Sequence, residues 1–272
     1  MTAQVEREYV LGTDEVEIQR LGLQHRIWRE PMLAAWRRAG IGPRYRVVDV
    51  GAGPGHASLD LAEWVGSEGE VLAIERSHRF ASALERQCHE RGLTQVRVLE
   101  GDLMSLAPEG EYDVAWCRWV ASFVESPRTL VAWLARVLRK RGRVVFHEYA
   151  DYGSWRLAPR RPILEEFVAE VMTSWRAAGG EPDVALELPG LLQDAGFEIV
   201  GLRPLVFAAR SQDPVWQWPA AFVDVNLERL QALGRVSGEW ATRVRTELRK
   251  AERNPASVML TPLVLEIIAE RG

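Results

Sequence analysis

Arg46-Val-Val-Asp-Val50, closed by Gly51-Ala-Gly53-Pro-Gly55 and followed by the helical stretch His56 to Val65, decides the fold of this 272-residue chain. A compact β-branched run without polar alternation reads as a strand covered on both faces. Glycines at alternate positions serve a turn whose backbone takes angles closed to other residues and lets a ligand approach without a Cβ in the way. Strand, turn and helix make the first half of a βαβ unit.

Working outward, the pattern repeats. Val71–Ile74 reads as a strand, His78–Arg91 as a helix, Val96–Leu99 and Tyr112–Trp116 as strands, Pro127–Leu138 as a helix ending near Gly142, and Arg143–His147 as a further strand. Parallel neighbours cannot be joined by tight turns, so helical crossovers between strands require a mostly parallel sheet with helices on both faces. Upstream, apolar residues recur at helical spacing between Glu15 and Ala39 (Ile18, Leu21, Ile27, Met32, Leu33, Trp36), and Pro31 is expected to split this stretch into two helices. Downstream, Pro159–Ala178, Leu186–Ala195 and Asp213–Arg253 read as helical, Phe197–Phe207 as a strand, and Ser257–Ala269 as a strand closing the sheet edge. The expected organisation is an N-terminal helical extension or lid over 1–42, a core over 43–150, and a cap insert over 151–184. A core helix and strand over 185–210, a second helical cap over 211–256 and the closing edge strand over 257–272 complete it.

Composition narrows the function. An apolar content of 47% supports a sizeable core, and 34 Lys+Arg against 38 Asp+Glu give a charge of −4, the wrong sign for a nucleic-acid binder. Cys88 and Cys117 lack disulfide or metal-ligand spacing, so no metal is expected and a reducing, cytoplasmic setting is. No run of 18 apolar residues points to a membrane span. Trp makes up 11 of the 23 aromatic residues, a choice that suits cores and flat, greasy ligands.

The strand ends carry the chemistry. Glu75 closes the second strand 20 residues beyond Gly55, where a carboxylate can accept hydrogen bonds from both hydroxyls of a ribose. Gly101-Asp102 closes the third, where the aspartate can accept from an adenine amino group while Leu103 packs on the ring. Alone, Glu75 reads as a solvated charge and Asp102 as a helix N-cap; their placement at successive strand ends raises them. The Gly-x-Gly-x-x-Gly fingerprint of dinucleotide binding fails here, because its third glycine falls on His56 when read from Gly51, or on Ser58 when read from Gly53.

Asp49-Val-Gly-Ala-Gly-Pro-Gly55, Glu75 and Gly101-Asp102 resemble the class I S-adenosylmethionine-dependent methyltransferases over about Arg46 to Tyr149. The resemblance implies a Rossmann-like seven-stranded sheet whose last strand is antiparallel at the edge, with S-adenosyl-L-methionine as cofactor. It implies that Asp49, Gly51, Gly53, Gly55, Glu75, Arg76, Asp102 and Leu103 hold the cofactor. Tyr112 to Trp119 is similar to the segment beside the methionine end, which brings in Cys117 and Arg118. The small-molecule branch has a helical extension folding over the cofactor, which brings in Tyr9 and Gln24.

His147-Glu148-Tyr149-Ala-Asp151-Tyr152 crowds titratable groups at the end of the fifth strand, and it lacks the spacing of a metalloprotease helix. His147 reads either as a general base or as an interior histidine, His25 as an exposed helical histidine and His56 as structural. Trp28, Trp119, Tyr149, Trp155, Trp175 and Trp218 are candidates to line a substrate pocket. The expected reaction is methyl transfer to an O, N or C nucleophile of a small aromatic or hydrophobic molecule, with secondary metabolism as its setting. A homodimer stays open, as do an NAD-dependent oxidoreductase and a non-catalytic methyltransferase-like subunit.

Overall fold

Val47, Val48 and Val50 are buried in β1 (Arg46–Val50), because successive side chains enter opposite faces of a sheet that is covered on both. The computed structural model describes residues 15–106 and 111–272. Helix α1 (Glu15–Arg38) precedes β1, and then α2 (His56–Val65), β2 (Glu70–Glu75), α3 (His78–Arg91), β3 (Val96–Glu100), β4 (Tyr112–Arg118), α4 (Pro127–Val137) and β5 (Leu138–Asp151) follow. Local chemistry sets the boundaries. Ser77 caps α3 by accepting from the Phe80 N–H at 3.4 Å, Gly92 ends that helix in the left-handed region, and Ser126 caps α4 through the Thr129 N–H at 3.2 Å.

Next come β6 (Arg156–Ala158), α5 (Pro162–Ala177), α6 (Leu188–Asp194), β7 (Phe197–Leu205), β8 (Ala208–Arg210), α7 (Gln217–Ala232), α8 (Gly238–Arg253), β9 (Val258–Leu260) and β10 (Leu263–Arg271). The main sheet runs β3-β2-β1-β4-β5-β10-β7, with β1 to β5 parallel to one another and β10 antiparallel to both β5 and β7. One face packs Val47, Val71, Val114, Trp116 and Val145 beneath α1 and α2. The other packs Val48, Leu72, Ala115, Val144 and Phe146 beneath α4 and α6.

Three expectations change. The closing strand is not at the edge: Val264, Ile267, Ile268 and Ala269 are buried, which fits an interior strand, while β7 exposes Val200 and Leu202 and forms the edge. Pro31 does not split α1, because Trp28 before it and Met32, Leu33 and Trp36 after it pack on one continuous surface. That packing outweighs the lost backbone bond. The segments after β5 also contain an unexpected three-stranded sheet, β6-β9-β8, whose three-residue strands are too short to show a period in sequence. It joins α5, α7 and α8 in a cap packed around Trp155, Phe167, Trp175, Trp216 and Trp218.

An ion pair between the exposed Arg38 and the buried Glu266 ties α1 to the sheet. Arg38 donates from Nε to Glu266 Oε1 at 2.8 Å and from Nη2 to Oε2 at 2.6 Å, and His147 Nε2 lies 3.3 Å from the same carboxylate. Burial holds His147 neutral, so Arg38 supplies the charge. Burial alone would raise the Glu266 pKa, but these bonds outweigh it and bring it down to about 2. A depressed carboxylate contributes stability above its unfolded value of 4.5 and loses it as pH falls towards about 2. Glu266→Gln is therefore expected to cost about 2 kcal/mol at neutral pH. Denaturant melts of both proteins should show that gap closing between pH 4.5 and 2; a constant gap would contradict the assignment.

Candidate functional site

The carboxyl ends of β1 to β4 open into a cleft of about 790 Å³, placed where strand order reverses between β1 and β4. Its floor is the glycine turn. Gly51, Gly53 and Gly55 all have positive φ, at 63, 56 and 88°. A Cβ on Gly51 would stand 2.6 Å from Val120 Cγ2 and one on Gly55 would enter Leu84, whereas one on Gly53 would meet nothing within 4 Å among the described residues. Two of the glycines permit close packing, and Gly53 leaves room for a ligand.

Glu75 braces this floor. Its Oε2 accepts from the Gly53 N–H and its Oε1 from the Ser77 N–H, both at 2.8 Å, and each oxygen keeps a second acceptor site. Burial raises its pKa, against the opposing pull of those N–H groups. Asp102 accepts from the Met104 N–H through Oδ1 at 2.9 Å, which leaves Oδ2 for a ligand donor, and Leu103 is buried in the adjoining wall. Asp49 does not reach the cleft. It is buried, with its pKa pushed up to about 7 by desolvation, and it accepts from Ser58 Oγ at 2.5 Å, so it supports the turn from behind.

Gln24, Gly51, Gly53, Glu75, Arg76, Asp102, Leu103, Arg118 and Trp119 line the cleft together. Gly55 and Cys117 do not, the latter being fully buried under α4, and Tyr9 lies outside the described residues. Sequence reasoning missed His56, Phe80, Met104, Phe123 and Val124 as lining residues. His56 stacks on His25 at 5.4 Å, and burial lowers its pKa to about 4, so it is neutral at pH 7. His25 is buried rather than exposed, with Nε2 3.1 Å from Asp60 Oδ2, because α1 docks this face on α2.

The crowded end of β5 separates by strand alternation. His147 turns into the interior among Trp28, Trp116 and Glu266 and does not line the cleft, which removes its access to a substrate proton. Glu148 points the other way. Its Oε1 accepts from the Val120 and Ala121 N–H groups at 2.7 and 2.8 Å and its Oε2 from Ser122 Oγ at 3.1 Å, while burial pushes its pKa up to about 7. Glu148 thus holds the loop that delivers Trp119, Val120, Phe123 and Val124 to the cleft. Trp119 sits in that loop with φ at 53°, a strained angle for a bulky side chain.

Of the aromatic candidates only Trp119 lines the cleft. Trp28, Tyr149, Trp155, Trp175 and Trp218 are packed behind it, because the cap folds down and buries them. Trp119 stacks between Tyr149 at 5.7 Å and Trp218 at 5.9 Å, and Trp28 meets its edge at 5.3 Å. The indole N–H groups of Trp28, Trp119 and Trp175 are buried with no acceptor among the described residues. Among the described residues no acidic, histidine or cysteine cluster could hold a metal, and no helix is long and apolar enough to cross a membrane.

Residues 48–146 match a protein family described as "Methyltransferase domain". The chain is 30% identical over 125 residues to the uncharacterized methyltransferase YcgJ of Bacillus subtilis (strain 168), a stretch covering 46% of each protein and so less than half of that relative. The crystal structure of YcgJ superposes with a TM-score of 0.56 at 20% identity, covering 86% of this chain and 95% of that one. Demethylmenaquinone methyltransferase of Geobacillus kaustophilus (strain HTA426) is 27% identical over 196 residues, which cover 68% of this chain and 82% of the relative. Geranyl diphosphate C-methyltransferase from Streptomyces coelicolor A3(2) shares the fold at a TM-score of 0.58 and 15% identity, over 95% of this chain and 85% of that one.

Gly51→Ala tests the floor directly. The new Cβ must displace Val120 and occupy a left-handed angle that costs about 1 kcal/mol. Calorimetric titration with S-adenosylhomocysteine should show affinity reduced by roughly tenfold or more, about 1.4 kcal/mol per decade; unchanged affinity would mean that the nucleoside does not lie on this turn.

Proposed function

We propose, from the premise that residues 48–146 form a class I S-adenosylmethionine-dependent methyltransferase domain, that this protein methylates an O, N or C nucleophile of a small aromatic or hydrophobic molecule in secondary metabolism. The cofactor is S-adenosyl-L-methionine, and the residues present fit it. Asp102 and Leu103 would take the adenine, Glu75 the ribose hydroxyls, the Gly51–Gly53 turn the body of the nucleoside, and Gln24, Arg76 and Arg118 the remainder. When bound, the cofactor supplies an activated methyl group on a sulfonium, so the chain's task is alignment and exclusion of water rather than generation of a reactive group.

The observation that carries the acceptor reading is Trp119. It is the central member of the Tyr149–Trp119–Trp218 stack and the one that reaches the cleft wall, held by the loop that Glu148 braces. An apolar acceptor set against the part of that ring that reaches the cleft would sit at the end of β4, beside the glycine turn. Phe123, Val124 and Met104 extend the apolar surface. The similarity to demethylmenaquinone methyltransferase, named for an apolar acceptor, supports an apolar small-molecule acceptor here.

His147 is too deep to act as a base here, so the acceptor presents its own lone pair, either as a neutral amine or as an acidic hydroxyl or carbon acid that enters ionised. Incubation with methyl-labelled S-adenosylmethionine and a panel of hydroxylated naphthalenes, quinols and aromatic amines should transfer label to at least one of them. His147→Phe should leave the pH profile of that turnover unchanged. Label appearing only in added oligonucleotide or protein would overturn the small-molecule reading.

A further inference from the structure

Outside the cleft, a second cavity of about 420 Å³ opens where α5 and α8 pack in the cap. Their apolar faces, Ile163 and Phe167 on one and Val244 and Leu248 on the other, are buried in the cap core, and the polar edges beside those faces line the cavity. On α8, Arg243, Glu247 and Lys250 recur at spacings of four and three and so share one edge. From the other side come Glu166 on α5 and Arg161 immediately before it. None of the residues around this cavity lines the cleft at the strand ends.

Three cations, Arg161, Arg243 and Lys250, stand here against two carboxylates, and the carboxylates do not satisfy them. Glu247 is shared: its Oε1 accepts from Lys250 Nζ at 2.7 Å and its Oε2 from Arg161 Nη1 at 3.2 Å. Lys250, and Arg161 less strongly, hold its carboxyl below the ordinary value, so one negative charge serves two positive ones. Glu166 accepts only a long bond, 3.5 Å, from the Trp240 indole N–H. Arg243 is exposed and enters no ion pair among the described residues. The Nε of Arg161 is buried with no acceptor among the described residues. Elsewhere the chain fills that edge of its arginines: Arg29, Arg38, Arg160 and Arg176 each direct Nε and Nη2 to the two oxygens of one carboxylate. A buried donor left unpaired is costly, and an oxyanion on the open edge of Arg161 would relieve it.

The number of cations says which oxyanion. A carboxylate has two oxygens, and the Arg161 edge would use both. A phosphate group has a further oxygen for Arg243 and Lys250, and it pairs with a guanidinium in the same two-point way. The cavity is within the usual size range of small-molecule sites, so it holds a phosphate together with part of the group that carries it. We propose that this cavity is a binding site for a small phosphate monoester, with Arg161 as the two-point clamp and Arg243 and Lys250 as the charges on the remaining oxygen. Because the two cavities share no residue, the inference stands apart from the cofactor reading of the cleft.

Inorganic phosphate, phenyl phosphate and acetate, titrated calorimetrically into the protein at constant ionic strength, test this without a contribution from changing salt. Both phosphates should bind saturably to the wild type, and acetate should bind about tenfold more weakly or not at all. Arg161→Met and Arg243→Gln should each weaken phenyl phosphate by about tenfold or more, and Arg161→Lys should recover only part of the loss, because a point charge cannot clamp two oxygens. Arg243 is exposed, so Arg243→Gln keeps the test decisive even if Arg161→Met loses stability. Arg136→Gln, at an exposed arginine of α4, is the control and should leave the affinity unchanged. Lack of saturable phosphate binding to the wild type would overturn the inference, as would unchanged affinity in Arg243→Gln or acetate binding as tightly as phosphate. Equal weakening by Arg136→Gln and Arg243→Gln would reduce the effect to diffuse surface charge, and phosphate that competes with S-adenosylhomocysteine would belong to the cleft; either result would overturn it too.

Discussion

The Glu75 carboxylate, shared between the Gly53 and Ser77 N–H groups, is the constraint on which the site depends. One side chain at the end of β2 fixes the turn after β1 and the start of α3, so the floor and one wall of the cleft cannot move independently. Charge-assisted bonds to backbone N–H groups are strong, and burial strengthens them further. Because both bonds leave acceptor capacity on the oxygens, bracing and ligand binding do not compete. In the proposed binding mode a ribose would meet a carboxylate that is already positioned, which would keep the ordering cost of binding low.

Glu148 performs the same service on the other side of the switch point. From β5 it accepts three bonds from the loop after β4 and so fixes Trp119, the residue through which the cleft meets the aromatic cap. The cap and α1 close over this region mainly with bulky rings, and the charge of Arg20 on α1 is paired with Glu17. Trp28, Trp119 and Trp218 contact one another at 5.0 to 5.9 Å. Such a wall excludes water while offering little polarity of its own, a division of labour that suits chemistry whose reactive group arrives with the cofactor.

How much of this was legible in the sequence follows from the physics of each element. The Val47-Val48 run, the glycine turn, Glu75 and Asp102 could be read because a buried parallel strand and its terminal turn impose residue types locally. The place of β10 inside the sheet and the continuity of α1 through Pro31 depend on which surfaces pack together, and a local period cannot show that. Adjacent residues His147 and Glu148 were seen as one crowded cluster, yet strand alternation sends them to opposite faces, one to Glu266 and one to the loop after β4. The adjacent apolar pair Ile267-Ile268, whose side chains enter opposite faces of β10, was the one local hint that this strand is covered on both faces. His56 carried no signal at all, because its place in the wall comes from α1 docking on it.

A crystal structure of the protein with S-adenosylhomocysteine tests the central claim most directly. It should show both ribose hydroxyls within hydrogen-bonding distance of the Glu75 carboxylate, with the bonds from the Gly53 and Ser77 N–H groups intact. A nucleoside bound elsewhere, or one that reaches Glu75 only after the carboxylate has released the glycine turn, would contradict it.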